Sequence, residues 1–125
     1  MKPKLTLLIL GSLQILQSIL VLIFARTISE TFLNVRGDAL EVGVLMHYGL
    51  SPAFLMIGLM LLFARKFELE NQKKVLLALI IGYLPLFGVF YHFSTIEIMN
   101  FNIESIVPDI IMFGLALFTY LNPKK

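Results

Sequence analysis

The sequence predicts an all-α polytopic membrane protein, a bundle of four transmembrane helices with both chain ends in the cytoplasm. Three observations carry that expectation: the apolar composition, the spacing of apolar segments, and the side on which Lys and Arg fall. Hydrophobic residues make up 58% of the 125, mean hydropathy is +0.90 and only 14% of residues are charged, against roughly 25% in ordinary soluble domains. A bilayer core about 30 Å thick takes about 20 apolar residues as a helix. Four segments meet that length in this single-domain chain: about 5–25, about 40–64, about 75–95, and a shorter one at about 104–121 opened by Pro108.

The first segment follows MKPK and superficially resembles a secretory signal. Its apolar run exceeds the roughly 7–15 residues of a signal core, and "FARTIS" offers no small-x-small cleavage site. It is therefore read as the first membrane helix. The connection at 26–39, "RTISETFLNVRGDA", mixes Phe32, Leu33 and Val35 with charges, the composition of a short interfacial amphipathic turn or a lid. The second segment runs down to Arg65 and Lys66, and "RKFELENQKK" (65–74) reads as a tight charged turn at the headgroups. Pro52 and Pro85 fall inside the second and third segments, where each removes a backbone donor and bends the helix.

Orientation follows from the rule that short cytoplasmic loops retain Lys and Arg. Lys2, Lys4, Arg65, Lys66, Lys73, Lys74, Lys124 and Lys125 fall on one side of the predicted crossings; only Arg26 and Arg36 fall on the other. That other side holds Glu30, Asp38, Glu41, Glu97, Glu104 and Asp109. The balance puts both termini on the cytoplasmic side; the expected location is a cell membrane, an inner or plasma membrane, with the bacterial inner membrane favoured. The basic residues form flanks beside apolar segments, not the stripe that neutralises phosphates, so nucleic acid is not an expected partner. Cysteine is absent, which excludes disulfides, thiolate metal sites and thiol redox chemistry.

Polar groups inside a membrane are costly and face the bundle interior or a wet cavity. At about 100° per residue, Glu41, Val44, Tyr48 and Ser51 share a sector of the second helix, with His47 at its margin. Tyr91 and His92 group with Pro85 and Gly88 on the third, Asp109 with Ser105 and Met112 on the fourth, and Gln14 with Gly11 and Ser18 on the first, Gln17 flanking. Counting depth along the predicted crossings puts these faces in the outer half of the membrane. The expectation is a polar pocket open to the outer leaflet, lined by Gln14, Gln17, Tyr48, Ser51, Tyr91 and His92, with His47, Asp109 and Glu41 as its reactive candidates.

Each candidate has a structural reading beside the chemical one. For His47 the expected role is a helix-to-helix hydrogen bond, to Ser51 or Gln14, ahead of the chemical alternative of a proton carrier or ligand. Asp109 after Pro108 suits the first turn of a helix, where proline fits and a carboxylate complements the positive dipole end. The glycines in the segments suit close helix approach. No close ligand pair such as HxxxH is present and the two histidines differ in expected depth, so neither a metal nor another cofactor is expected.

With four short helices, cytoplasmic ends and an acidic residue ahead of "YG" in "EVGVLMHYG" (41–49), the chain resembles the small DoxX-like bacterial membrane proteins. "PDIIMFGLALF" (108–118) is similar to their last helix. The resemblance spans most of the chain at the level of topology and implies a four-helix membrane fold without a defined mechanism. The expected function is that of a non-catalytic accessory or small-molecule-binding subunit in the lipid bilayer, taking a small hydrophobic ligand and forming a homo-oligomer or joining a membrane partner protein. The alternative is a membrane-embedded enzyme or proton-coupled transporter that uses His47 as base or relay and Asp109 or Glu41 as acid partner.

Overall fold

A computed structural model describes residues 2–97 and 103–124; the side chains of Ile103 and Glu104, and all of Lys125, lie outside the described part. The described chain is helical throughout: α1 (Pro3–Ile23), α2 (Ala25–Phe32), α3 (Asp38–Ala64), α4 (Leu69–Phe93) and, after a 3₁₀ turn at Ile103–Ile106, α5 (Val107–Leu121). Three of these, α1, α3 and α4, are long and apolar enough to cross a membrane. The fourth apolar helix, α5, has 15 residues and reaches about 22 Å at 1.5 Å per residue.

The helices start where their first residues permit. Pro3 and Pro108 open α1 and α5, positions whose N–H has no intrahelical acceptor anyway. Gly37 precedes α3 with φ +66°, a backbone region that glycine enters at no steric cost. Asp38 and Glu41 follow in the first turn of α3, against its positive dipole end. Helix α4 begins at Leu69, six residues before the apolar run that marks it in the sequence. Those polar turns stay helical because Gln72 is buried and its Nε2 donates to Arg65 O at 2.8 Å, closing the α3–α4 turn.

The connection after α1 folds as α2, a short amphipathic helix laid on α3. Ala25 and Ser29 are buried while Arg26, Glu30 and Thr31 face outward. Beyond it, Asn34 Nδ2 donates to Glu97 O at 2.9 Å and ties this connection to the end of α4.

The contacts define the packing order. Gly11 lies on Gly58 and Ser18 on Ser51, pairings in which one number rises as the other falls, so α1 and α3 run antiparallel. Thr6 bonds Thr119 (Oγ1 to Oγ1, 2.6 Å), and Tyr83 and Phe87 of α4 pack on Phe113 of α5. Up-and-down packing collects the described chain ends and the 65–68 turn at one end of the bundle, called the lower end below. The core runs along the middle, through Leu7, Leu10, Leu61, Leu76, Ile80, Tyr83, Met112 and Ala116. Large apolar side chains such as Ile23, Met46, Met60 and Phe63 point outward, the arrangement expected where the surrounding solvent is itself apolar.

Candidate functional site

The closest helix contact lies between α1 and α3, and it consists of small residues. Gly11 and Gly58 bring the two backbones together: a Cβ on either would stand 2.9 Å from the other's carbonyl oxygen. One turn pair above, Ser51 Oγ donates to Ser18 O at 2.8 Å, and the two hydroxyls lie 3.3 Å apart. Because the single Ser51 proton is committed to that carbonyl, Ser18 is the donor to Ser51 Oγ. Higher still, α2 is pinned to α3 by Arg26 and Glu41 (2.8 Å) and by Ser29 and His47 (3.0 Å). The Glu41 carboxylate holds the exposed Arg26 guanidinium above its already high ordinary range, first through the hydrogen bond and then through its charge.

His47 Nδ1 lies 2.8 Å from Gly43 O, and a carbonyl only accepts, so Nδ1 is the donor in that contact. The role of His47 in the structure is to join α2 to α3 through Ser29; neither Ser51 nor Gln14 is its partner.

The other helix seam is open. Helices α3 and α4, although consecutive, touch little, and between them lies a partly open cleft of about 620 Å³. Its walls come from α3, from Phe54 onward, with Phe67 of the following turn, and from α4 between Val75 and Leu86, nearly all Phe, Leu, Ile, Met, Val and Ala. Three polar side chains interrupt this lining: Gln14 from α1, Tyr83 from α4 and Asp109 from α5.

These three meet at one height. The Thr6–Thr119 bond sets α1 level with α5 near the lower end. Gln14 is eight residues above Thr6 and Asp109 ten above Thr119, about 12 and 15 Å at 1.5 Å per residue. Tyr83 packs edge-on against Phe113, one turn from Asp109, and brings its hydroxyl beside Gln14 and within electrostatic range of Asp109. Gln14 is 6% exposed, and its Oε1 is buried with no hydrogen-bond partner among the described residues. An orphaned buried acceptor costs about 1–3 kcal/mol, which makes this the one polar group in the described core whose surroundings leave it unsatisfied.

The nine residues expected from the sequence to share a pocket are thus dispersed. Gln14 and Asp109 line the cleft. Ser51 is buried in the α1–α3 seam, His47 is half-buried under α2, and Glu41 is exposed in its ion pair. Tyr48, Tyr91 and His92 are exposed, and Gln17 is half-buried outside the cleft lining. Helix α3 does not reach α5, so His47 and Glu41 stand apart from Asp109.

Two differences from the sequence reading have a clear origin. Asp109 sits about 15 Å above the lower-end Thr pair, deeper than a count from the outer surface gives, because α5 starts only at Val107. The cleft extends from that mid-height down to Phe67 and Val75, toward the lower end, where the sequence reading had placed only apolar filling. Tyr83 was missed because it shares the face of Leu76, Ile80 and Phe87 and counts as one more core position; its hydroxyl, set among apolar neighbours at mid-segment, was the available signal.

Among the described residues no three His, Asp or Glu side chains converge on a point where a metal ion would sit. Comparison with protein-family models, with curated proteins and with solved structures finds no match to this chain. The chemistry of the cleft therefore stands on its own residues.

Proposed function

We propose that the chain is a non-catalytic four-span protein of a bacterial inner membrane, both ends in the cytoplasm, that holds a small, largely apolar ligand in the cleft between α3 and α4. The observation that carries this reading is the unpartnered Gln14 Oε1 beside Tyr83 and Asp109, at the head of a cleft of about 620 Å³. Ligand sites are typically apolar clefts of about 300–1,000 Å³ with a few polar groups that fix orientation. The lower end carries Lys2, Lys4, Arg65, Lys66, Lys73, Lys74 and Lys124, which under the positive-inside rule makes it the cytoplasmic end. A catalytic or proton-coupled role for His47 with Asp109 or Glu41 draws no support from this geometry, since Asp109 is on a helix that does not meet α3 and Glu41 is engaged with Arg26 while His47 is engaged with Ser29.

Photolabelling tests the ligand reading. A long-chain alkyl diazirine, added to the full chain in lipid nanodiscs, is expected to label 54–67 and 75–86 saturably, with protection by excess unlabelled compound. Labelling that is no stronger there than at the outward-facing Leu16, Ile19 and Ile23 of α1, and is not protected, counts against it. Topology is tested separately and easily, because the chain has no cysteine to remove. Single cysteines replacing Glu30 or Asn34 are expected to react with an impermeant maleimide in intact spheroplasts, and those replacing Lys66 or Lys124 only after permeabilisation; the reverse pattern inverts the orientation.

A further inference from the structure

The polar head of the cleft has a definite electrical character. Gln14 Oε1 is a buried acceptor without a hydrogen-bond partner among the described residues, while the Tyr83 hydroxyl lies beside the same amide. Asp109 is half-buried at the same height, and the ion pair found among the described residues, Arg26 with Glu41, is on another part of the molecule. Lys73 and Lys74 of α4 are more than two turns below Tyr83, and Lys73 rests its Nζ over the Tyr120 ring at 5.7 Å. Three groups therefore converge with two strong acceptors, one hydroxyl and no cation. An ionisable side chain within a membrane normally pairs with an opposite charge or a backbone carbonyl, and it marks a site by default. The positive end of α5 offsets part of a carboxylate's charge at Asp109, but it supplies no partner for Gln14.

The walls complete the description. Phe54 and Phe63 of α3, Phe67 of the turn after it and Tyr83 of α4 border the cleft. Aromatic faces attract cations, and the attraction grows where water is excluded. Rotation about the terminal torsion of Gln14, which is broad and low in barrier, turns its unpaired oxygen toward the cleft without moving a helix.

We infer that the ligand of this cleft is a lipophilic ammonium: an amine bearing N–H groups that pairs with Asp109 and donates to Gln14 Oε1, while its apolar body lies between α3 and α4 among the phenylalanine rings. This inference rests on the cleft being a ligand site and adds the charge and donor character of what it takes.

The experiment uses the purified full chain in phosphatidylcholine nanodiscs and radiolabelled dodecylamine, with empty nanodiscs subtracted. Dodecanol and dodecyltrimethylammonium serve as competitors, the first with a donor and no charge, the second with charge and no N–H. Dodecylamine is expected to bind saturably and tightest of the three. Asp109→Asn should weaken it by about tenfold or more, while Asp109→Glu retains most of the affinity. Gln14→Leu should weaken dodecylamine and leave dodecyltrimethylammonium unchanged. Gly82→Leu, which places a side chain in the cleft where a Cβ meets nothing within 4 Å, should abolish binding of all three.

If dodecanol competes as well as dodecylamine, or Asp109→Asn binds undiminished, the ammonium assignment is overturned while the cleft survives as an apolar site. If no compound binds saturably, or Gly82→Leu binds as the parent does, the ligand reading itself fails. Should Asp109→Asn not fold, the ranking of the three compounds on the unmodified chain decides the question.

Discussion

Two helix seams in this molecule both carry glycine and end in opposite states. In the α1–α3 seam, Gly11 and Gly58 face each other and the backbones close until a Cβ has no room. Across the α3–α4 seam, Gly82 also faces the gap, yet a Cβ there meets nothing within 4 Å and a cleft remains. Small residues permit close approach in a membrane but do not compel it. What closes the first seam is a matched pair at one level, reinforced by the Ser18–Ser51 hydrogen bonds a short way above. In the second seam Gly82 and Ala78 line the cleft together with large side chains of α3, including Phe54 and Ile57, and no matched pair of small residues closes it.

The largest effect should come from forcing the closed seam open. Gly58→Leu puts a branched side chain where even a Cβ would lie 2.7 Å from Ile15 Cγ1 and 2.9 Å from Gly11 O. The carbonyl belongs to a helix backbone and has no rotamer with which to yield. Overpacking of this kind costs typically about 1–3 kcal/mol, occasionally more, and with the Ser18–Ser51 bonds pulled apart the loss should reach the upper end. Thermal unfolding in detergent, together with disulfide trapping between cysteines placed at positions 18 and 51, reads both the destabilisation and the separation. An unchanged melting temperature with undiminished trapping would show that the seam is not packed as described.

How much of this was visible in the sequence depends on which forces wrote it. The membrane segments were legible because bilayer thickness is an external ruler: α1, α3 and α4 end within about two residues of the apolar runs at their upper limits. The start of α4 was not, because Leu69–Lys74 is polar and helical at once, and its helicity depends on Gln72 reaching back to Arg65. The 26–39 connection announced its amphipathic character, and α2 has it. Its fixing to α3 through Ser29 and His47 is a tertiary fact that no periodicity contains.

The site was half legible for the same reason. Gln14 and Asp109 stood out as costly groups in apolar segments, and both reach the cleft. Which other polar residues would join them depended on helix neighbours: Ser51 turned to Ser18, and Glu41 to Arg26. A polar sector on a helix does not say which helix it meets. In the same way, seven glycines in or beside apolar segments look alike in the sequence; only Gly11, Gly43 and Gly58 have neighbours where a Cβ would go, and Gly49, Gly82, Gly88 and Gly114 have none.

The smallest effect is also the sharpest test of the contrast, because it uses one substitution at two positions. Alanine at Gly82 finds open space and keeps an ordinary helical backbone, so the conformational gain of replacing a mid-helix glycine, roughly 0.5–1 kcal/mol, is expected almost in full. Alanine at Gly58 makes the same gain but must displace Ile15 and the Gly11 carbonyl, and the net change should be a loss of about 1–2 kcal/mol. Opposite signs for the same chemical change, measured by reversible unfolding in one detergent, would locate the difference in the seams and not in helix propensity. Equal signs would mean that the cleft closes, or the tight seam relaxes, once the chain is in its solvent. Gly82→Ala has a second value: one methyl in the cleft should tighten the protein while only trimming the space for a ligand, so stability and binding ought to move in opposite directions.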